Sequence, residues 1–203
     1  MKLYFSPGAC SLSPHIVLCE AGLEHTIEKT NLASKVTASG TDFKIINPKG
    51  SVPALQLDDG SVLTEGPAII QYLADLVPEK HLAAPAGTMA RYRLMETLNF
   101  ISTELHKTYS PLFNPASTDA AKAAAVNHLT PRIGVIAKQL GDADYLGGKQ
   151  FTVADAYLFV VLSWSSHVNV SLAAWPNIEA FLARVAARPA VKAAMLAEGL
   201  IKA

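Results

Sequence analysis

The sequence predicts an α/β half followed by an all-α half, and three observations carry that division. Through residue 80, strand-like and helix-like segments alternate in the order βαβ and then ββα. Pro78 to Thr88, which contains Pro85 and Gly87, reads as a connector, because Pro and Gly punctuate regular structure. Beyond it every periodic segment is helical and rich in alanine. The expected domains are 1–80, a linker at 81–87 and a helical bundle over 88–203.

Leu3 to Phe5 reads as the first strand and runs into the turn residues Ser6-Pro7-Gly8. Ser11 to Ala21 has apolar residues at Leu12, Ile16 and Leu18, with Gly22 just beyond, the pattern of a helix closed by a left-handed glycine. Thr26 to Asn31 forms a second strand, and Asp42 to Ile46 a short helical turn before Asn47-Pro48-Lys49-Gly50. Val52 to Leu57 and Ser61 to Thr64 are strands joined by the hairpin turn Asp58-Asp59-Gly60. Pro67 opens a helix whose buried face carries Ile69, Ile70, Leu73 and Leu76.

In the second half, Met89 to Tyr109 is a long amphipathic helix, with Met89, Leu94, Leu98, Ile101 and Leu105 on its core side. Thr118 to Gly141 is another, with Pro131 as a kink point. Phe151 to Trp164 is apolar on nearly every side and expected to be buried. Ile178 to Ala187 and Ala190 to Ala197 end the chain, separated at Arg188-Pro189.

Composition excludes several functions. The 203 residues carry 17 Lys/Arg against 17 Asp/Glu and no polybasic run, so no nucleic-acid footprint is expected. No apolar stretch nears the roughly 20 residues of a membrane helix, and, with Met1 leading directly into a strand-like segment, no signal peptide is expected. Cys10 and Cys19 are the two cysteines; on one helix they stand about 13 Å apart, too far for a disulfide. A reducing, cytoplasmic compartment is expected. The histidines, His15, His25, His81, His106, His128 and His167, are scattered, and no metal site is expected. There is no phosphate-binding loop, dinucleotide fingerprint or serine-hydrolase elbow.

Four groupings bear on chemistry. Cys10 and Ser11 lie at a helix start, where unpaired N–H groups and the helix dipole stabilise a thiolate, its own or a ligand's. A lone Cys is otherwise a small buried hydrophobe, but the Pro-Gly turn before it favours the reactive reading. Cys10-Ser-Leu-Ser13 keeps only the first cysteine of a CxxC pair, which excludes an intramolecular dithiol and leaves a mixed disulfide open. At Thr64-Glu65-Gly66-Pro67 a helix start and a carboxylate together suit the α-amino acid end of a ligand; from this motif alone, plain capping is the better reading. Asn99, Ser102, Thr103 and His106 follow i, i+3, i+4, i+7 spacing beside Lys107, a track that lines a cleft or faces solvent. Thr152 with Asp155 three residues on is a capping box, and Asp155 is expected to be a buried structural acid. Pro53 belongs at a strand edge or start; a trans bond is the ordinary case, and a cis bond turns its neighbours' polar groups outward.

Taken together, these segments resemble a bacterial glutathione S-transferase of the beta class over essentially the whole chain. The resemblance rests on Ser6-Pro-Gly-Ala-Cys-Ser-Leu-Ser13, Asn47-Pro-Lys-Gly-Ser-Val-Pro-Ala-Leu55, Leu63-Thr-Glu-Gly66, Tyr72-Leu-Ala-Asp75, Thr103-Glu-Leu-His-Lys107 and Phe151-Thr-Val-Ala-Asp-Ala-Tyr-Leu158. It implies a thioredoxin-like N-terminal domain, an all-helical C-terminal domain, a homodimer and glutathione as co-substrate without a metal. It implies a cis Pro53, Val52 paired with the cysteinyl backbone of glutathione, and Ala9 in the binding set. Glu65 and Gly66 hold the γ-glutamyl end, Lys35 the glycine carboxylate, and Asn99 the γ-glutamyl group across the dimer. Cys10 and Ser11 are implied beside the glutathione sulfur, with His106 and Lys107 approaching it from the helical domain.

Two positions depart from that pattern. Phe5 stands where many relatives carry Tyr, and Tyr4 points to the opposite face of its strand. Gly66 stands where Ser also occurs, which removes one possible ligand contact. The implied activity is conjugation of the glutathione thiolate to small, mostly apolar electrophiles, with Tyr109, Phe113 and Trp164 as candidate walls of their site. Two alternatives stay open: a thiol-disulfide exchange enzyme working through Cys10, and a non-catalytic binding protein.

Overall fold

A computed structural model of the chain describes residues 1–202. Its elements begin with β1 (Lys2–Phe5), α1 (Leu12–Ala21), β2 (Thr26–Asn31), β3 (Val36–Thr37), α2 (Phe43–Ile46), β4 (Ala54–Gln56), β5 (Val62–Thr64) and α3 (Gly66–Asp75). The strands form one sheet in the order β3-β2-β1-β4-β5. β1 pairs parallel to β2, with Leu3 opposite Ile27, and antiparallel to β4, with Leu3 opposite Leu55. β5 returns antiparallel on β4 through the Asp58–Gly60 turn, and the two-residue β3 lies antiparallel on β2. β3 is too short for alternation to reveal it in the sequence.

The period of β1 sorts its side chains to two faces. Phe5 lies against the His15 ring of α1, while Tyr4 packs on Phe43 of α2 in a cluster with Val52 and Ala54. The sequence reading marked Leu12, Ile16 and Leu18 as the apolar residues of α1. In the structure its residues from Leu12 to Leu18 are all buried, because α1 packs against α3 as well as the sheet and carries a further helix, described below. Gly22, at φ +69°, ends it: the Gly22 N–H bonds the Cys19 carbonyl and the Leu23 N–H bonds the Leu18 carbonyl.

A second compact unit, Ala84–Val185, is helical. It holds α4 (Met89–Phe100), a π-helical turn (Ile101–His106), α5 (Lys107–Phe113), α6 (Asp119–Leu140), α7 (Val153–Ser163) with a 3-10 turn (Trp164–His167), and most of α8 (Pro176–Ala186). The hydroxyls of Thr88 and Thr118 accept the Arg91 and Ala121 N–H groups and so set the starts of α4 and α6. α7 is buried from Val153 to Leu162, as its uninterrupted apolar run requires. Asp155 is buried within it and accepts the Leu146 N–H at 2.8 Å and the Thr152 N–H and hydroxyl at 2.8 Å each. Pro131 sits inside α6, which continues through it. Met89, expected on the core side of α4, is 70% exposed because it occupies the first turn.

α9 (Pro189–Ala197) belongs to the first unit, which comprises Met1–Ala83 and the residues from 186 onward. The helical texture of the sequence grouped 186–203 with the second half. Texture reports the type of element and not which core it joins. α9 packs on α1 through buried Val191 and Ala194. The Arg188 guanidinium clamps the Glu20 carboxylate with bonds of 2.6 and 2.9 Å. Just past α9, the buried Glu198 carboxylate reaches the Gly8 N–H and the His15 ring.

Candidate functional site

The site is built at the C-terminal end of β1. After Phe5 the chain turns at Ser6-Pro7-Gly8, with Gly8 at φ +69°, a conformation that favours glycine. Four hydrogen bonds close this turn. The Ala9 N–H bonds the Ser6 carbonyl at 3.0 Å, the Ser11 hydroxyl accepts the Ser6 N–H at 3.1 Å and donates to the Ser6 carbonyl at 3.2 Å, and the Gly8 N–H donates to Glu198 at 3.0 Å. The Leu12 and Ser13 N–H groups bond the carbonyls of Ala9 and Cys10, so the helical path starts one turn before α1 proper. Cys10 therefore sits in the opening turn, half-buried, and its thiol donates to the Val52 carbonyl at 3.3 Å. Ser11 is fully buried with its hydroxyl engaged at Ser6, so it holds the loop that presents Cys10.

Val52 and Pro53 form the second wall, and the bond between them is cis. The segment before them is held by Asn47, which is buried, donates to the Ser51 carbonyl at 2.7 Å and accepts the Lys49 N–H at 3.1 Å. Gly66 opens α3 against Pro53: a Cβ at Gly66 would stand 3.8 Å from the proline Cγ. The fold thus brings Cys10, Val52, Pro53 and Gly66 together from β1–α1, the approach to β4 and the β5–α3 junction.

Glu65 caps α3 at φ +69°, in the left-handed half of backbone space that non-glycine residues rarely occupy. Its carboxylate is largely exposed and pairs with Lys49 Nζ at 2.6 Å, and the same ammonium donates to the Thr64 hydroxyl at 2.9 Å. Lys49 was not singled out by sequence reasoning. Its place in Asn47-Pro48-Lys49-Gly50, a turn leading to the cis proline, was the signal that marks it. Lys35, at φ +59°, donates its ammonium to the Gly50 carbonyl at 2.8 Å. Two lysines therefore flank the same turn, one bonded at Gly50 and one at Glu65.

In the helical unit, the π-helical turn places His106 where α-helical spacing does not. Such a turn adds the equivalent of one residue, so the i, i+3, i+4, i+7 relation is broken before His106 is reached. Asn99 and Thr103 are exposed, whereas His106 is half-buried. His106 Nδ1 lies 2.6 Å from the Tyr157 hydroxyl, and its ring stands edge-on to Trp164 at 4.9 Å. Lys107 is exposed. Tyr109 is fully buried and bonds the Ser165 hydroxyl at 2.6 Å; burial pushes its phenol up to about 12. It is thus a packing residue and not an open wall. Phe113, half exposed and edge-on to Trp164 at 5.8 Å, is the one of the three candidate wall aromatics that meets solvent.

Comparison with known proteins decides the family. The glutathione S-transferase N-terminal domain family matches residues 8–76, and the C-terminal domain family matches residues 100–189. The chain is 46% identical over 200 residues to the glutathione S-transferase GstA of Escherichia coli O157:H7, covering 98% of this chain and all of that protein. The chain belongs to the glutathione S-transferase family. Among solved structures, a ternary complex of BphK, a bacterial transferase, superposes with a TM-score of 0.97 at 59% identity, covering 98% of this chain and 100% of that one. A beta-class transferase of Sphingomonas chungbukensis superposes at 0.96 with 48% identity, covering 99% and 100%. The α/β unit is accordingly the thioredoxin-like domain of a beta-class glutathione S-transferase, an enzyme with glutathione as co-substrate. Among the described residues, no helix is long and apolar enough to cross a membrane.

Within this transferase the strand alternation at Tyr4 and Phe5 acquires a consequence. Tyr4 turns its ring into the Phe43 cluster and its hydroxyl to Gln56 at 3.1 Å, while Phe5 faces α1. Neither residue sets a phenol beside Cys10. The Cys10 thiol meets the backbone at Val52, and the Glu65–Lys49 pair stands at the start of α3.

Proposed function

We propose that the α/β unit binds glutathione along Cys10, Val52-Pro53 and Glu65-Gly66 and delivers it as a thiolate to small apolar electrophiles. The observation that carries this reading is the contact of the Cys10 thiol with the Val52 carbonyl beside the cis Pro53. An extended peptide laid against Val52 presents its sulfur at the helix start that holds Cys10. There the helix dipole stabilises sulfur anion. Ala9 lines this loop. Glu65 takes the α-ammonium of the γ-glutamyl end, with Gly66 leaving room for its carboxylate at the start of α3. Lys35 and Lys49 supply positive charge for the far carboxylate. His106 and Lys107 are assigned to proton and charge chemistry at the sulfur, and Asn99 to the γ-glutamyl group of a second copy in a homodimer. The thiolate attacks the electrophilic carbon, a carbon–sulfur bond forms, and halide or another leaving group departs with the bonding pair. Of Tyr109, Phe113 and Trp164, Phe113 is the one exposed to meet the electrophile. A cytoplasmic setting, where thiols stay reduced, suits this chemistry.

Thiol-disulfide exchange is a second capacity of the same site. Attack of Cys10 thiolate on oxidised glutathione forms the protein mixed disulfide and releases one reduced glutathione. Intact-protein mass after incubation with oxidised glutathione tests both readings. One added glutathionyl group, lost in Cys10→Ala, is expected. The same variant should keep a substantial part of its activity on an aryl halide, because the helix start and the glutathione contacts remain. Complete loss of conjugation in a folded Cys10→Ala protein would refute this division of roles. Absence of both adduct and glutathione binding at millimolar concentration would leave only a non-catalytic binding protein.

A further inference from the structure

The α/β unit contains a second grouping of sulfur and imidazole, apart from Cys10. His15 and Cys19 stand one turn apart on α1, and His25 follows in the short connection to β2. One ligand atom from each lies within 4.8 Å of the other two. The two rings meet edge to face, with centroids 5.5 Å apart.

The second observation is how the imidazoles are held. His15 Nδ1 is 2.9 Å from the buried Glu198 carboxylate, and His25 Nδ1 is 2.7 Å from the Leu23 carbonyl. A carboxylate and a carbonyl are acceptors, so each Nδ1 donates to its partner, and in a neutral imidazole held this way Nε2 is the nitrogen that offers a lone pair to a metal. This is the outer-shell arrangement that orients metal-binding histidines, with a carboxylate or backbone carbonyl behind each ring. Both histidines have it, and they share a thiol between them.

We propose that His15, Cys19 and His25 form a binding site for a zinc-type divalent ion, with water in the fourth position. Two imidazoles and one thiolate form a ligand set suited to zinc, and three protein ligands leave one position open. Donor atoms around a tetrahedral zinc stand roughly 3.3–3.8 Å apart. Closing from 4.8 Å therefore needs movement of about 1 Å. His25 can supply it, since it lies outside regular structure after the Gly22 turn. His15 is buried, while Cys19 and His25 are half-buried and open a path from solvent.

Binding is written as an exchange of one proton. The ion takes the lone pairs of two neutral imidazoles and displaces the proton of the Cys19 thiol to solvent. The ion also strengthens the charge on His15 and thereby its bond to Glu198, whose other oxygen holds the Gly8 N–H. The site is thus joined through one carboxylate to the turn that presents Cys10, without using any residue of the glutathione site.

Cobalt(II) titration of the full chain under anaerobic, reducing conditions tests the proposal, because a thiolate–cobalt bond gives a near-ultraviolet charge-transfer band. One cobalt per chain with that band, displaced by one zinc, is expected. Cys19→Ala should abolish the band, Cys10→Ala should leave it unchanged, and His25→Gln should weaken zinc binding by roughly 100-fold or more. Glu198→Gln should weaken it by roughly 10–100-fold through the His15 ring. Calorimetry in buffers of different ionisation enthalpy should report about one proton released per ion. His25→Gln changes a half-buried loop residue, so it keeps the test decisive if Glu198→Gln fails to fold. A band that survives Cys19→Ala, a band lost in Cys10→Ala, or no saturable binding overturns the proposal.

Discussion

At the level of single residues, the proposed glutathione site depends on charges that the turn before Pro53 holds in place. Lys49 bonds Glu65, so the carboxylate is oriented by a partner of the sign an incoming ammonium carries. Glu65→Gln should raise KM for glutathione about tenfold with kcat changed less than threefold, the value of one exposed charge-assisted bond. Steady-state kinetics with glutathione as the varied substrate checks this. Glu28 illustrates a different use of a carboxylate. It accepts from the Ser39 hydroxyl and N–H and from Lys2, and these bonds, Ser39 first, bring its pKa down from 4.5 to about 2. Its native pKa lies below its unfolded one, so its contribution is present above about pH 4.5 and is lost as pH falls towards about 2. Urea unfolding of Glu28→Gln against the parent should give a stability gap that closes as pH falls through that window.

At the level of elements, helix starts govern both halves. Asp155 gives the first turn of α7 its anchor and also ties Leu146 to it. Burial raises its pKa while the N–H bonds oppose the rise. Asp155→Ala leaves three donors without their acceptor and should cost about 3 kcal/mol. Thermal unfolding should register this as a lowered Tm, while the glutathione KM of the protein that remains folded stays within twofold. The capping box was legible because its two residues are three apart in one helix. The geometry of His106 was not, because a π-helical turn leaves no mark in the pattern of apolar residues: Leu98, Ile101 and Leu105 are buried in either case.

At the level of the whole molecule, the C-terminal segment completes the unit that contains the N-terminus. Arg188 grips Glu20, α9 covers α1, and Glu198 joins His15 to the Gly8 turn. Glu198 has no exposed side-chain surface, so Glu198→Ala strands a buried imidazole and a backbone N–H. A loss of about 2–5 kcal/mol is expected. The Cys10 turn should loosen with it, and iodoacetamide should alkylate Cys10 faster than in the parent at the same pH. Equal alkylation rates would mean that Ser11 alone holds the turn. A chain ended at residue 185 should lose the cooperative unfolding of the α/β unit, because α1 then exposes a face it buries under α9.

The sequence by itself determined the two textures, most helix and strand positions, the hairpin, the capping box and the family motifs. Each of these is written in local spacing: a period of two or 3.6, a turn dipeptide, or a cap three residues from its partner. Tertiary structure alone decided which core α9 joins, that Lys49 meets Glu65, that the Ser11 hydroxyl is spent on Ser6, and that His15, Cys19 and His25 converge. Those facts depend on how segments distant in the chain close on one another, through the sheet order β3-β2-β1-β4-β5 and the packing of α9 on α1. A carboxylate at position 198 carries no local sign that its partners are a histidine and a glycine near the opposite end of the chain.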